Sequence, residues 1–339
     1  MSNPQVSAAM IMTAGLGTRL HPFTQVQTKA LMPVFGVPSA QFVIDTLVAA
    51  GVSQIIANLH HRASDTQKGL LKLDLAGSSL LLSDESQELL GTAGGMRKVL
   101  PHIGKGPLLR ANADVLCNID WLSLLDRHQY LKRKRGVSIT LALLKNTHPS
   151  EQYPEILLHS DQESVMGVGK AIPSGVFWSG AAVLEREAFA DVPDQGASEF
   201  VPSILRPALQ KQSVGAVVMN SCWYDIGTPQ LWLQTHFDLM SELESVTSSS
   251  GLLPQWRERL LQRNLQIKPG VWVDRRVPRF DQIPVRAPSY VGWSGEAPFF
   301  DSSFPYQELG PRCVVYGGAV SQGVLQRGIG YSKFWIGEG

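Results

Sequence analysis

The sequence predicts an α/β fold, a doubly wound and mostly parallel sheet with helices on both faces, followed by a C-terminal β domain. Three observations predict it. Over roughly the first 110 residues, short apolar runs alternate with stretches of helical periodicity, the pattern of right-handed βαβ crossovers. The first apolar run ends in a glycine-rich turn, as a buried parallel strand does. Beyond residue 263 the composition shifts to Val, Gly, Pro and aromatic residues with dense turn chemistry.

Taken in order, residues 8–13 form the first apolar run. In 39–50, Phe42, Val43, Leu47 and Val48 fall at helical spacing, and Gly51 stands where a C-cap belongs. Residues 54–59 read as the next strand, 63–73 as a helix, 79–82 as a strand, 92–100 as a helix and 107–111 as a strand. From 137 to about 184 the pattern becomes shorter and strand-rich (137–144, 155–158 and 176–184), which predicts an antiparallel insertion closing over the sheet. Helices at 201–210 and 230–243 lie on either side of a strand at 214–219. Residues 245–251 are small, polar and aperiodic, as a linker is, and 254–263 reads as a short helix. The chain thus divides into an α/β domain over 1–244, a linker with a short helix over 245–263, and a β domain over 264–339. In the last part a six-residue beat runs through Val285, Val291, Ala297, Ser303, Leu309, Val315 and Ser321, four of the seven being Val or Leu. A degenerate left-handed β-helix has that beat, with one small aliphatic residue pointing inward per face. An irregular β cap is the alternative.

Composition narrows the function classes. With 339 residues, 44% hydrophobic and 17% charged, the chain can bury a large core and is not dominated by disorder. A net charge of +1 gives no global field for nucleic acid or an acidic membrane, so any affinity for phosphates is local. The basic run Lys132-Arg133-Lys134-Arg135 ends a predicted helix, where cations complement the dipole. Three widely spaced cysteines, Cys117, Cys222 and Cys313, form no disulfide framework, and no long apolar span or leader pattern occurs. A reducing, cytoplasmic setting follows as the expectation.

The chemistry begins at Ala14-Gly15-Leu16-Gly17-Thr18-Arg19-Leu20. Glycines after a buried strand let backbone N–H groups approach an anion without a Cβ in the way. No Gly-Lys-Ser/Thr follows, so this is not a Walker loop, and Leu20 replaces the third glycine of the dinucleotide fingerprint. Arg19 adds a bidentate donor beside the turn. Ten residues on, Lys29 opens an apolar, proline-broken run, Thr28-Lys29-Ala30-Leu31-Met32-Pro33-Val34. It reads as a snorkelling surface lysine or as a second cation for the same phosphates. His60 and His61 have no carboxylate or cysteine spacing of a zinc site and read as loop histidines.

The pair GLGTRLHPFT and TKALMPV resembles the signature of the sugar-phosphate nucleotidyltransferases. Three later segments occur in that family's order: Leu90-Gly91-Thr92-Ala93-Gly94-Gly95, Asn112-Ala113-Asp114, and Trp223-Tyr224-Asp225-Ile226-Gly227-Thr228-Pro229. The resemblance covers roughly residues 8–240. It implies a Rossmann-like nucleotidyltransferase domain that condenses a nucleoside triphosphate with a sugar 1-phosphate, giving a nucleotide sugar and pyrophosphate. By resemblance, Arg19 and Lys29 are the catalytic cations. Ala14, Gly15, Gly17, Thr18, Glu88, Gly91 and Thr92 bind the nucleotide. Asn112, Lys170 and Gly180 bind the sugar phosphate, and Asp114 and Asp225 bind Mg²⁺. The implied partners are the two substrates, with no nucleic acid or membrane, and the C-terminal domain is a candidate for homo-oligomer formation.

The sequence departs from the family at the sugar end. Ala113 stands where many relatives have glycine, Gly169-Lys170-Ala171 where many have Glu-Lys-Pro, and Tyr153-Pro154 where many have Tyr-Gly. These departures imply an unusual acceptor or a weakened enzyme. The alternatives they raise are a non-catalytic sugar-nucleotide-binding regulatory subunit and cytidylyl transfer to a non-sugar phosphate.

Overall fold

The computed structural model describes residues 8–145, 153–170, 175–245, 252–277, 286–292, 308–309, 312–316, 324–325, 327–331 and 334–338. The chain falls into two compact units, Met1–Gly15 with Val43–Trp223, and Leu16–Phe42 with Tyr224–Gly339.

The first unit is built on a seven-stranded sheet in the order 214–219, 139–145, 176–184, 108–112, 8–12, 54–59, 79–84. The strand Ala8–Met12 runs parallel to Gln54–Leu59 on one side and to Leu108–Asn112 on the other. Ala8, Ala9, Met10 and Ile11 are at most 1% exposed, and such an unbroken apolar run suits a strand covered on both faces. The sheet is mostly parallel, with Val176–Leu184 as the exception, antiparallel to both of its neighbours. The strand-rich stretch after 137 is therefore not an insertion over the sheet, as its pattern predicted. Ile139–Lys145 and Val176–Leu184 lie within the sheet, and only Ile156–Leu158 and Val165–Val168 pair apart from it. The reason is two-sided burial: Ile139, Leu141, Ala142, Leu143 and Leu144 are buried without alternation, where a one-sided cap alternates.

The helices follow their end signals. Trp121–Arg135 starts on Asp120, whose carboxylate accepts from the Ser123 N–H (3.0 Å), and stops at Gly136 with φ +66°. Its basic end is partly paired, Lys132 with Glu185 (2.8 Å) and Arg135 with Asp161 (2.5 Å). The predicted 201–210 helix opens with a wider turn, Val201–Leu205, before Arg206–Gln210. Pro202 and Pro207 each remove an N–H there. No helix among the described residues is long and apolar enough to cross a membrane.

The second unit contains the helices Pro229–Glu244 and Pro254–Arg263 and a six-stranded sheet, order 264–268, 271–274, 289–292, 313–316, 327–331, 334–338. The three inner pairings are parallel and the two outer ones antiparallel. Paired residues on successive parallel strands are 18, 24 and 15 positions apart (Val271 and Ser289, Ser289 and Cys313, Cys313 and Gly328). Val291 and Val315, on the six-residue beat, are fully buried. Leu309 lies in the short strand Glu308–Leu309, while Val285, Ala297, Ser303 and Ser321 lie outside the described residues.

Candidate active site

The glycine-rich loop leaves the first strand at Thr13. The N–H groups of Thr13 and Ala14 donate to the Asn58 side-chain oxygen (2.8 and 3.3 Å), and the Thr13 hydroxyl donates to the Asn58 carbonyl. The Ala14 N–H is thus engaged by the protein. Gly15 is exposed, with open space where a Cβ would stand.

The continuation belongs to the second unit and folds on itself through the 3₁₀ turns Thr18–Leu20, Phe23–Gln25 and Lys29–Leu31. Gly17 has φ +64°, and a Cβ there would fall 2.8 Å from Thr24 Cγ2 and 3.4 Å from Lys29 Cβ. The Gly17 carbonyl accepts from the Thr24 hydroxyl (3.0 Å). Leu20 and Phe23, both fully buried, anchor the loop, while Thr18 and Arg19 stay exposed and Lys29 is half-buried. Gly17, Arg19 and Lys29 thus lie on one tight loop.

Asp225 and Arg19 meet over a single glycine. A Cβ on Gly227 would lie 2.8 and 3.1 Å from the two Asp225 carboxylate oxygens and 3.2 Å from Arg19 Nη2. The Gly227 N–H donates to Asp225 Oδ1 (2.7 Å), which fixes the carboxylate against the turn. Thr228 then caps the next helix, accepting from the Leu231 N–H (3.2 Å), with Pro229 at its first position. A carboxylate and a guanidinium therefore converge at a helix start.

In the first unit, Asp114 follows the strand Leu108–Asn112, at the carboxyl end where open α/β sheets place their ligands. Ala113 is fully buried, so its methyl faces the protein interior. Gly180, with φ +94°, packs on Asn112: a Cβ would fall 2.5 Å from the amide Nδ2. Arg110, 5% exposed, donates to the Gly180 carbonyl and stacks over the Trp178 ring at 4.6 Å. Burial pulls the Arg110 guanidinium down to about 10, against the opposing charges of Asp114 and Glu199. Lys170 is exposed, and its neighbour Gly169 donates to the Glu155 carbonyl (2.8 Å). The structure thus brings Asn112 and Gly180 together and leaves Lys170 on a separate segment. Tyr153 packs on Phe177 and Trp223, with ring centroids 5.2 and 4.7 Å away.

The 85–92 loop is held from two sides. Glu85, 2% exposed, accepts from Asn58 Nδ2 (2.9 Å) and from the Leu90 N–H (3.2 Å), and burial raises its carboxyl above the usual range. Across the loop, the Thr92 hydroxyl donates to Glu199 (2.8 Å) and accepts from the Phe200 N–H (2.7 Å). Gly91, with φ +69°, leaves no room for a Cβ against Glu199 and the Ser198 carbonyl, both at 2.7 Å. Glu88 is exposed. His60 donates from Nδ1 to the Glu85 carbonyl (2.7 Å), as an ordinary loop histidine.

Asn58, Glu85, Glu199, Arg110 and Thr24 were not singled out by the sequence. The available signal was a polar residue breaking an apolar run, as Asn58 does in Gln54–Leu59 and Arg110 in Leu108–Asn112.

Among the described residues no group of three or more His, Cys, Asp or Glu side chains is placed to hold a metal. The donors expected for Mg²⁺ are two carboxylates, Asp114 and Asp225. Asp114 lies in the first unit and Asp225 in the second, and each offers the hard carboxylate oxygens that this ion prefers.

Comparison with known proteins agrees with this architecture. Residues 8–242 match the family model described as nucleotidyl transferase. The N-acetylmuramate alpha-1-phosphate uridylyltransferase of Caulobacter vibrioides is 28% identical over 66% of this chain and 92% of its own length. The UTP–glucose-1-phosphate uridylyltransferase of Synechocystis sp. is 25% identical over 92% of this chain and 80% of its own length. The fold is shared with HddC from Yersinia pseudotuberculosis, solved in complex with GMP-PN, at a TM-score of 0.57 and 20% identity, covering 69% of this chain and 99% of that one. The loop after the first strand, the aspartate after the fourth strand from the sheet edge and the matched span of 8–242 lead to one conclusion: the chain belongs to the sugar-phosphate nucleotidyltransferase family.

Proposed function

We propose that the protein transfers a nucleotidyl group from a nucleoside triphosphate to a sugar 1-phosphate. A phosphate oxygen of the sugar 1-phosphate attacks the α-phosphorus, the new O–P bond forms, and the bond to the β-phosphate breaks, releasing pyrophosphate. In such a transfer the protein works mainly by positioning and by stabilising charge on the phosphoryl oxygens. Arg19 and Lys29 serve as the cations on the triphosphate, with the 15–18 backbone beside them. Glu88, Gly91 and Thr92 are assigned to the nucleoside, and Asn112, Lys170 and Gly180 to the acceptor. Asp114 and Asp225 would hold Mg²⁺, which when bound neutralises phosphate charge and orients the reacting groups.

The observation that carries this reading is the convergence of Asp225 and Arg19 on Gly227, a hard carboxylate and a phosphate-type donor at one turn. The relatives' names, uridylyl- and guanylyltransferases of sugar 1-phosphates, support the substrate classes without choosing the base. The test is pyrophosphate release across a matrix of nucleoside triphosphates and sugar 1-phosphates, with Asp225→Asn as the blank. Turnover with at least one pair, dependent on Mg²⁺, is expected. A folded protein that releases no pyrophosphate from any pair overturns the proposal, and nucleotide binding without turnover would instead favour a sensor.

The remaining assignments complete the proposal. The matched span of 8–242 supports a catalytic domain ending near residue 244, with 245–263 and 264–339 following. The parallel stack and its buried Val291 and Val315 support a left-handed β-helix for the C-terminal part, which would also serve homo-oligomer formation. The three cysteines, none of them in a disulfide, are consistent with a cytoplasmic protein.

A further inference from the structure

The segment that carries Arg19 and Lys29 runs on from its last 3₁₀ turn into a small hairpin, Pro33–Val34 paired with Val37–Pro38. Its two-residue tip is Phe35 (φ +49°) and Gly36 (φ +72°). Both central residues of such a turn need positive φ, a conformation that suits Asn-Gly and strains a bulky Phe. Strain of this kind persists only where the surroundings over-determine it.

The surroundings are side chains of the C-terminal part of the same unit. The Phe35 N–H donates to His236 Nε2 (3.3 Å), the Gly36 N–H to the Tyr316 hydroxyl (3.3 Å), and Asn264 Nδ2 donates to the Phe35 carbonyl (2.9 Å). The Phe35 ring lies 4.6 Å from that of Tyr290 and stacks on His236 at 5.5 Å. A Cβ on Gly36 would run into the Asp274 carboxylate, which Arg276 holds in a two-pronged ion pair. The set is itself locked: His236 Nδ1 donates to the Trp232 carbonyl (2.9 Å), leaving Nε2 to accept from the Tyr316 hydroxyl (2.6 Å), and Tyr290 donates to Asn264 Oδ1 (2.9 Å).

The hairpin is tied in turn to the loop. Ser39, directly after it, donates from its hydroxyl to the carbonyls of Lys29 (3.2 Å) and Ala30 (2.9 Å). Trp232, seven residues beyond Asp225 on the following helix, donates to the Pro33 carbonyl (2.8 Å). Lys29 Cβ in turn packs at Gly17, two residues before Arg19.

We infer that Tyr316, His236 and Asn264 are positioning residues for nucleotidyl transfer: by clamping the Phe35-Gly36 tip they fix the loop that presents Arg19 and Lys29. The C-terminal β domain is then part of the catalytic apparatus through a contact inside the chain. The inference rests on the functional reading above for the roles of Arg19 and Lys29, but the clamp itself does not.

The test uses the full chain with Tyr316→Phe, which removes the hydroxyl that bonds His236 and the Gly36 N–H, and Gly36→Ala, which attacks the same contact from the hairpin. Two quantities are read: kcat and KM with a substrate pair the parent turns over, and amide hydrogen exchange over 16–38 against 108–117. Both variants should lose about tenfold or more in kcat, with a smaller change in the nucleotide KM. Exchange over 16–38 should quicken about tenfold, while 108–117 keeps the parent rate. Unchanged exchange over 16–38 overturns the clamp. Quickened exchange with parent-like kcat overturns its catalytic role. A parent that releases no pyrophosphate from any pair overturns the functional reading, and the exchange measurement then decides the clamp alone.

Discussion

At the scale of single residues, Gly227 makes the demand nearest the proposed chemistry. Its missing side chain is what lets the Asp225 carboxylate and the Arg19 guanidinium approach the same turn. A methyl there would stand 2.8 Å from one carboxylate oxygen and 3.1 Å from the other, closer than nonbonded carbon tolerates, so the carboxylate must move by several tenths of an ångström. Displacements of that order at a reacting centre are expensive, about a hundredfold for a shift of 1 Å. Gly227→Ala should therefore lower kcat by roughly ten- to a hundredfold, with a melting temperature near that of the parent, as a pyrophosphate-release assay beside a thermal melt would show. Asp225→Asn keeps the shape and removes the charge; a loss of about a hundredfold or more is expected. Arg19→Lys is not conservative, because the ammonium lacks the planar fork, and should lose about tenfold or more in the same assay. Parent-like rates in Asp225→Asn would remove the carboxylate from the chemistry.

At the scale of elements, one buried side chain joins three segments. Asn58 accepts from the 13–14 backbone through its oxygen and donates to Glu85 through its nitrogen, and Glu85 in turn holds the Leu90 N–H. Replacing it with Leu would leave two N–H groups and a carboxylate buried without these partners, at a cost of about 2–5 kcal/mol. Denaturant unfolding would measure it. Glu85 adds a pH signature. Its folded-state carboxyl lies above the ordinary value because burial disfavours the anion. The folded state therefore holds its proton to higher pH than the unfolded state, and the stability this gives, full below the unfolded pKa of 4.5, is lost as pH rises through the folded value. Glu85→Gln does not titrate, so its melting temperature relative to the parent should rise between pH 4 and pH 8. A constant difference would show that Glu85 keeps an ordinary carboxyl. These elements also show what was legible in the sequence. The central strands were readable because Ala8–Met12 is apolar on both faces and Gln54–Leu59 carries the unbroken apolar run Ile55-Ile56-Ala57, and the order of the glycine and aspartate segments marked the family. The antiparallel place of Val176–Leu184 was not readable, because a local apolar run does not name its neighbours in a sheet. Asn58 and Glu85 were missed because their partners lie 45 and 27 residues away in sequence. The Phe35-Gly36 tip was hidden for the opposite reason: local preference argues against it, and only the tertiary clamp selects it.

At the scale of the whole molecule, acid should act first on the unit that carries Arg19 and Lys29. His236 is completely buried there, neutral, and bonded so that a proton on Nε2 would remove the acceptor for both Tyr316 and the Phe35 N–H. Burial lowers its pKa from 6.5 to about 4, against the smaller opposing effect of the hydrogen bond to Trp232. Between these values the unfolded chain binds a proton that the folded chain refuses. Stability from this group is therefore full above about pH 6.5, falls as pH drops toward 4, and changes no further below that. A shift of this size corresponds to about 3 kcal/mol. The loss should appear locally as well as globally, because Phe35, Tyr290 and Tyr316 share the same enclosed cluster. Amide exchange over 16–38 and 229–244 should accordingly quicken between pH 6.5 and 4, after correction for the intrinsic rate, and activity should decline over the same interval. His236→Gln removes the titration: it should be less stable than the parent at pH 7.5, and the gap should shrink by about 3 kcal/mol on going to pH 4. Parallel pH profiles for the two proteins would mean that the cluster tolerates the proton, and the acid response of the molecule would then have to come from its carboxylates.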